Sequence, residues 1–238
     1  MPESLRDHFR AFELLDDDEP MRGFVRVVQC ALRDWDRLYD SEAFGFSKPF
    51  DQRFAKAMVK TVSHLVGTEP FIRYGYAEHG EFSLLLASDD GAPGETSRRL
   101  ICRLTSLAAG RLSLILGDLA LFDSRLYQFP SPELARGFLL WRQECQRTVS
   151  LNRNVLHVLT QNGQDPLSAR GIIADLGDEE KLEILAQHGV RFDALPLWQR
   201  RGASCYWQPE PGDGPPTLAV DTTLPVGDQY AQYLDRFL

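Results

Sequence analysis

Cysteine is rare in this 238-residue sequence, and the four present, Cys30, Cys102, Cys145 and Cys205, form no Cys-x-x-Cys pair. That spacing argues against a zinc ribbon or a disulfide scaffold and favours reduced thiols, so we expect a cytoplasmic protein. No apolar run approaches the roughly 18 residues that a transmembrane helix needs, and we therefore expect no membrane span. The sequence also lacks a Walker-type glycine loop and a Ser-His-Asp arrangement, the patterns of P-loop enzymes and serine hydrolases.

Lysine is scarce as well, since 22 of the 26 basic residues are arginine, and the net charge is −8. An acidic protein is a poor match for non-specific nucleic-acid binding. The charge is uneven, however, because residues 98–153 hold nine arginines against four acidic residues, a surplus of five positive charges. Two interpretations of this segment remain open: a phosphate-binding surface, or the solvated faces of ordinary helices.

The sequence has ordinary globular composition, with 43% hydrophobic and 25% charged residues. Apolar periodicity and turn residues predict a strand at 24–28, a helix from about 51, hairpin strands at 71–77 and 81–87, a helix at 97–116, a strand at 121–129 and a helix at 132–161. This β-α-β-β-α-β order is typical of ferredoxin-like folds and of polymerase palms. We therefore expect an α+β chain, with a palm-like domain at 1–130 and a helical extension and tail at 131–238 that pack with it as one unit.

Five local motifs follow one another along the chain. They are Lys48-Pro49-Phe50-Asp51, Gly75-Tyr76-x-Glu78, Glu81-x-Ser83-Leu84-Leu85, Leu116-Gly117-Asp118-Leu119-Ala120 and Trp141-Arg142-Gln143-Glu144. Together they resemble the tRNA-His guanylyltransferase family, including its bacterial tRNA-guanylyltransferase-like branch. The resemblance implies a polymerase palm that uses Mg²⁺ and a nucleoside triphosphate, GTP or ATP, for 3′-5′ addition of a nucleotide to the tRNA 5′ end. It also implies a homo-oligomer, either a dimer or a tetramer.

The metal positions are where this sequence departs from the family it resembles. Two family aspartates fall on Val28 and Gly80, and only the neighbouring glutamate is retained, as Glu81. Valine and glycine offer no side-chain oxygen to Mg²⁺. We therefore expect Glu81 to be the remaining catalytic and metal-binding carboxylate, with Glu78 as a weaker second ligand.

Polar residues at or near the family's phosphate-contacting positions are better retained. The resemblance assigns nucleotide or phosphate binding to Arg98, Arg99, Arg103, Ser106, Arg142, Arg147 and Lys181. Arginine suits this role because its planar guanidinium presents paired donors to phosphate oxygens. The alternative for the arginines is ion pairing on helix surfaces, and for Lys181 it is an ordinary solvated position.

Three functions are compatible with a retained scaffold and an altered site. The first is a family member that binds a nucleotide or RNA without two-metal catalysis. The second is an active 5′-end nucleotidyltransferase with a rearranged Mg²⁺ site. The third is a non-catalytic interaction protein that pairs with a protein partner. The observation that separates them is whether the space between Val28, Gly80 and Glu81 is open and polar or filled by apolar side chains.

Overall fold

The computed structural model describes residues 3–14, 21–87, 96–210 and 214–238. The helices are α1 (Glu3–Arg10), α2 (Trp35–Asp40), α3 (Gln52–Thr68), α4 (Ser97–Leu116), α5 (Pro132–Gln161), α6 (Pro166–Asp175), α7 (Asp178–Gln187), α8 (Leu197–Arg201) and α9 (Asp228–Leu234), with a 3₁₀ turn at Phe192–Ala194. The strands are β1 (Val25–Leu32), β2 (Ile72–Ala77), β3 (Glu81–Leu86), β4 (Phe122–Phe129), β5 (Ala203–Gln208) and β6 (Thr217–Asp221).

The long helices begin and end at residues whose chemistry favours a helix boundary. Asp51 and Thr96 cap α3 and α4 by accepting hydrogen bonds from backbone N–H groups of Arg53 and Arg99, donors that the first turn leaves unpaired. Gly117 ends α4 in the left-handed conformation, with φ of 74°, which glycine adopts at no steric cost. The bounds of α4 and α5 agree with those predicted from apolar periodicity.

The six strands of the described residues join one antiparallel sheet in the order β4-β1-β3-β2-β5-β6. The first four strands, with α3 before β2 and α4 before β4, have the expected ferredoxin-like topology. The C-terminal tail supplies β5 and β6, which the sequence patterns did not predict, and β5 pairs with the outer edge of β2. One sheet takes strands from both sides of residue 130. The division of the chain into two domains at this residue stays a prediction.

Different layers cover the two faces of the sheet. On the first face, α3 and α4 pack around an apolar cluster that includes Val28, Phe54 and Leu104. On the second face, α5 and α9 pack around a cluster that includes Val27 and Phe138. Successive side chains of a strand point to opposite faces, which is why the adjacent Val27 and Val28 of β1 belong to different clusters.

The C-terminal half of α5 forms a third, smaller apolar cluster with α6 and α7, centred on Leu151, Val155 and Leu185. This cluster holds the helical extension together next to the sheet. None of the helices within the described ranges is both long enough and apolar enough to cross a membrane.

Candidate functional site

A pocket of about 440 Å³ lies on the second face of the sheet, between β1, the β2–β3 hairpin, β4, α5 and α1. Its volume falls in the range of small-molecule binding sites. We call it the carboxylate pocket, because Glu78 and Glu81 form part of its wall. The hairpin positions both glutamates, since they lie on either side of the turn that joins β2 to β3.

Arg142 of α5 joins the two glutamates of the pocket. Its guanidinium donates two hydrogen bonds to Glu78, at 2.9 and 2.6 Å, and a further one to Glu81. The side chains of Arg142 and Glu78 are only 8% and 4% exposed, whereas Glu81 is 36% exposed. A bidentate pair of this kind fixes geometry as well as charge, so Arg142 offsets part of the negative charge of the two glutamates.

Two further side chains extend the cluster along the sheet. The side-chain amide Nε2 of Gln29 on β1 donates a hydrogen bond to Glu81 at 2.7 Å. The hydroxyl of Tyr127 on β4 donates to the side-chain oxygen Oε1 of Gln29 at 3.1 Å. The chain of contacts therefore runs from Tyr127 through Gln29 and Glu81 to Arg142. Such networks order every member, because leaving one buried donor or acceptor unpaired is costly.

Burial dominates the electrostatics of Glu78. It raises the pKa of Glu78 to about 7, against the opposing effect of Arg142, because removing a carboxylate from water disfavours its charged form. For Arg142, burial favours the neutral form, but the two glutamates outweigh it and its pKa rises above the ordinary value. Arg142 is therefore a permanent cation within the pocket wall.

The two positions that the resemblance assigns to lost aspartates lie outside this polar network. Val28 is fully buried in the apolar cluster of the first face, whereas its neighbour Gln29 faces the carboxylate pocket. Gly80 has φ of +81°, and a Cβ there would lie 3.2 Å from the Trp35 ring. The space is thus apolar and filled on the first face and polar on the second.

His79, in the turn between β2 and β3, packs among aromatic side chains on the first face of the sheet. Its ring lies 4.3 Å from Trp35 and 4.6 Å from Phe50 between centroids. Burial, with the charges of Arg153 and Lys48, lowers the pKa of His79 well below its ordinary value. His79 is therefore neutral near pH 7 and packs as an aromatic residue.

The predicted phosphate-binding residues lie in separate places. Arg98, Arg99, Arg103 and Ser106 are all on α4, which packs on the opposite face of the sheet from the carboxylate pocket. Of these, Arg103 forms an ion pair with Glu69 at 2.7 Å. Only Arg142 lies in the carboxylate pocket.

The other two residues of that set belong to the helical extension. Arg147 pairs with Glu144 and with Asp178 of α7, at 3.2 and 2.6 Å. Lys181 lies in a different cavity, between α5, α6 and α7. The structure therefore does not bring the seven predicted residues together.

Sequence analysis missed several residues of the carboxylate pocket. Arg6 and Arg10 of α1 line its rim, whereas Trp141, which the sequence motif around Arg142 already includes, lines it beside Arg142. A sequence signal did exist for the first two, because residues four apart share one face of a helix. For Gln29 and Tyr127 there was none, since their roles depend on strand pairing.

Comparison with known proteins decides the family. A sequence model of the family described as tRNAHis guanylyltransferase matches residues 6–130, more than half of the chain. The chain belongs to the tRNA(His) guanylyltransferase family. The matched segment includes the four palm strands with α3 and α4, so the family assigned from local motifs is confirmed.

Curated members of the family are distant in sequence. tRNA(His) guanylyltransferase 2 of Arabidopsis thaliana is 24% identical over 70% of this chain, and the match spans only 33% of that relative's length. A probable tRNA(His) guanylyltransferase of Homo sapiens is 24% identical over 87% of this chain and 72% of its own length. The chain thus corresponds to about a third of the Arabidopsis protein.

Solved structures of family members share the fold. A bacterial tRNA(His) guanylyltransferase-like protein in complex with GTP has a TM-score of 0.73 at 18% identity, covering 99% of this chain and 97% of the other. A bacterial tRNA(His) guanylyltransferase-like protein in complex with ATP has a TM-score of 0.77 at 17% identity, with the same coverage of both chains. The α+β, ferredoxin-like palm predicted from the sequence is therefore confirmed, together with its helical extension.

Proposed function

We propose that this chain binds the phosphate groups of a nucleoside triphosphate or of a tRNA 5′ end in the carboxylate pocket, without two-metal nucleotidyl transfer. One observation carries the proposal: Arg142 bonds to both Glu78 and Glu81, the retained metal carboxylate being Glu81 and the weaker expected ligand Glu78. The GTP and ATP complexes of bacterial family members suggest the class of ligand.

The residues present do not fit Mg²⁺. This ion requires near-octahedral oxygen ligands at about 2.1 Å. Both carboxylate oxygens of Glu78 and Oε2 of Glu81 already accept hydrogen bonds from Arg142 or Gln29. A divalent cation placed there would meet a permanent positive charge. Within the described ranges, no group of three His, Cys, Asp or Glu side chains is placed to hold a metal ion.

The rim of the pocket supports binding of an anion instead. Arg6 and Arg10 are exposed, and in the described part of the chain neither forms an ion pair. The indole Nε1 of Trp141 is buried and has no hydrogen-bond partner among the described residues. Cations at the mouth match a phosphate group better than a metal ion.

Thermal unfolding with GTP, in Mg²⁺ and in EDTA, tests the proposal. We expect GTP to raise the unfolding temperature by a similar amount in both conditions, because a ligand that binds only the folded state stabilises it. In parallel, labelled GTP and tRNA lacking its first nucleotide should give no incorporation above that of a Glu81→Gln control.

Matched variants locate the site. Arg10→Gln should weaken the stabilisation by GTP, whereas Arg99→Gln, an equal change of charge on α4, should not. Incorporation that requires both Mg²⁺ and Glu81 would contradict the proposal and favour an active transferase. Failure of both GTP and RNA to stabilise the protein would favour the non-catalytic interaction protein.

The homo-oligomer, either dimer or tetramer, and the cytoplasmic location stay predictions. Sedimentation equilibrium of the purified chain would check the first. Fluorescence microscopy of the tagged protein in its own cells would check the second.

A further inference from the structure

We infer that the outer edge of β6 is a docking site for an extended, acidic segment of a protein partner. The segment would lie beside β6 as a further strand of the sheet and would face α3 across a shallow groove. We call this surface the β6 groove, formed by residues 217–222 together with Lys56 and Lys60 of α3. It lies on the first face of the sheet, and its role goes beyond the proposed function of the carboxylate pocket.

The two edges of the sheet differ in what covers them. At the β4 edge, the backbone of Leu14 donates a hydrogen bond to Leu126, and that of Gln128 donates to Phe12, so a preceding part of the chain covers this edge. β6 forms the opposite edge, and no strand of the described residues pairs with its outer side. An edge of this kind presents unused backbone donors and acceptors, which an added strand would pair.

A cavity beside β6 would receive an apolar side chain of the added strand. Its volume is about 320 Å³, and its walls include Val59 of α3, Ala203 of β5 and Val220 of β6. Val220 is paired with Cys205 in the ladder, and Cys205 belongs to the apolar cluster of the first face, so Val220 points to the same face. Val220 is 48% exposed, and an apolar residue opposite it would pack against it at the mouth of the cavity.

The charge of the β6 groove favours an acidic segment. Lys56 lines the cavity, and Lys60 lies four residues further along α3, on the same side of the helix. Both are exposed, and neither forms an ion pair or a side-chain hydrogen bond with any residue that the structure describes. They are two of only four lysines in a chain with a net charge of −8. Carboxylates of a partner would therefore meet two available cations.

The path of α3 relative to β6 gives the spacing of the partner's side chains. Lys56 shares the cavity wall with Val220, whereas a Cβ on Gly67 would lie 3.7 Å from Leu218. The helix therefore follows β6 from Val220 towards Leu218, with Lys60 between its two ends. Because every second side chain of a strand points to the same face, the segment should alternate apolar and acidic residues at every second position.

Fluorescence anisotropy of a labelled peptide tests the docking site. The probe is a blocked peptide in which the sequence Thr-Val-Thr-Glu occurs twice, so that valine and glutamate share one face of a strand. Lys56→Glu should weaken its binding about fivefold or more, because an attraction becomes a repulsion. Arg170→Glu, an equal change of charge on the exposed surface of α6, should leave the affinity unchanged, as should Arg10→Gln in the carboxylate pocket.

Two altered forms of the peptide separate strand pairing from simple charge attraction. A peptide with lysine in place of glutamate should bind Lys56→Glu better than it binds the parent protein. Alternate backbone N–H groups of a strand point to the same edge. Of two peptides that are N-methylated at complementary sets of alternate residues, one should therefore lose about tenfold or more in affinity.

Val220→Asp examines the edge strand itself. The substitution removes the apolar contact and places a carboxylate next to the peptide glutamates, so we expect binding to weaken about tenfold. In the parent protein, the peptide should slow the hydrogen exchange of backbone amides in residues 217–221, and in Val220→Asp it should not. Lys56 is exposed, so Lys56→Glu tests the groove even if Val220→Asp folds poorly.

Four outcomes would overturn the inference. They are absence of peptide binding to the parent protein, equal affinities for Lys56→Glu and Arg170→Glu, full binding of both N-methylated peptides, and a dimer of the unliganded chain that Val220→Asp dissociates. The last, measured by sedimentation equilibrium, would assign the edge to a second copy of this chain. None of these results depends on nucleotide binding, so the inference and the proposed function can fail separately.

Discussion

The two faces of β1 and β3 differ around the positions where the family resemblance places metal-binding aspartates. On the first face, Val28 belongs to a continuous apolar layer, and the Trp35 ring packs against Gly80. On the second face, Glu81 remains but is joined to Gln29 and Arg142. Apolar packing therefore closes the first face, whereas an internal cation offsets part of the negative charge on the second.

Placing an acid on each face in turn has the largest expected effect. Val28→Asp buries a carboxylate among apolar side chains, and we expect the free energy of unfolding to fall by about 4 kcal/mol or more. Gln29→Asp puts the same group in the carboxylate pocket, where we expect a loss of about 2 kcal/mol or less. Urea denaturation measures both, and equal losses would show that the faces do not differ in this way.

Removing the internal cation tests the second face. Arg142→Met leaves Glu78 buried without its partner, and we expect a loss of about 3 kcal/mol in the free energy of unfolding. The double variant Arg142→Met with Glu78→Gln should recover part of this loss, since no unpaired charge remains.

Arg136 provides the control on the same helix. It pairs with Asp235 at the surface, and Arg136→Met should cost less than about 1 kcal/mol. If Arg136→Met and Arg142→Met destabilise the protein equally, the cluster around Glu78 has no special role in stability.

Gly80→Ala examines the first face by a smaller change. We expect the substitution to lower the free energy of unfolding by about 1 kcal/mol or slightly more. Gly80 has φ of +81°, which alanine rarely adopts, and the added Cβ would lie 3.2 Å from the Trp35 ring. Gly137→Ala on α5 meets no atom within 4 Å and should raise it by about 0.5–1 kcal/mol. The two variants should therefore change the stability in opposite directions, as measured by thermal unfolding. A Gly80→Ala variant as stable as the parent protein would contradict this prediction.

The last prediction is a pH dependence that comes from Glu78. Its pKa rises from the ordinary 4.5 to about 7 on folding, so between these values the folded state binds more protons than the unfolded state. The contribution of Glu78 to stability is therefore full below pH 4.5 and is lost as pH rises through 7, with a slope of at most about 1.4 kcal/mol per pH unit.

Comparison with Glu78→Gln isolates this contribution. Between pH 5 and pH 7, the free energy of unfolding of the parent protein should decline relative to that of the variant. The difference cancels titrations common to both proteins, including that of His79. Parallel curves would show that burial does not raise the pKa of Glu78.

Much of the fold is predictable from local sequence. The hairpin strands β2 and β3 and the helices α4 and α5 follow from period-2 and period-3.6 patterns with residues such as Pro132 and Gly117 at their boundaries. β5 and β6 do not, because β5 forms against the edge of β2 and its polar residues, such as Ser204, give no clear alternation. Tertiary pairing, rather than local preference, makes that segment a strand.

The candidate site is predictable only as a set of separate residues. Motifs indicate Glu78, Glu81 and Arg142, but Arg142 is more than 60 positions from either glutamate, and no pattern predicts that it bonds to both. Gln29 replaces Val28 as the pocket-facing residue of β1 for a similar reason. A shift of one residue along a strand reverses the face of every side chain.

The amino-acid sequence by itself determined the order of the four palm strands with α3 and α4, the bounds of α4 and α5, and the family, because local periodicity, turn residues and motifs carry this information. The tertiary structure alone decided which face of the sheet each strand residue occupies and which cation meets which carboxylate. It also decided that Lys181 lies apart from Arg142, in a cavity between helices. Those outcomes depend on strand register and on packing between distant segments, and local patterns carry no information about either.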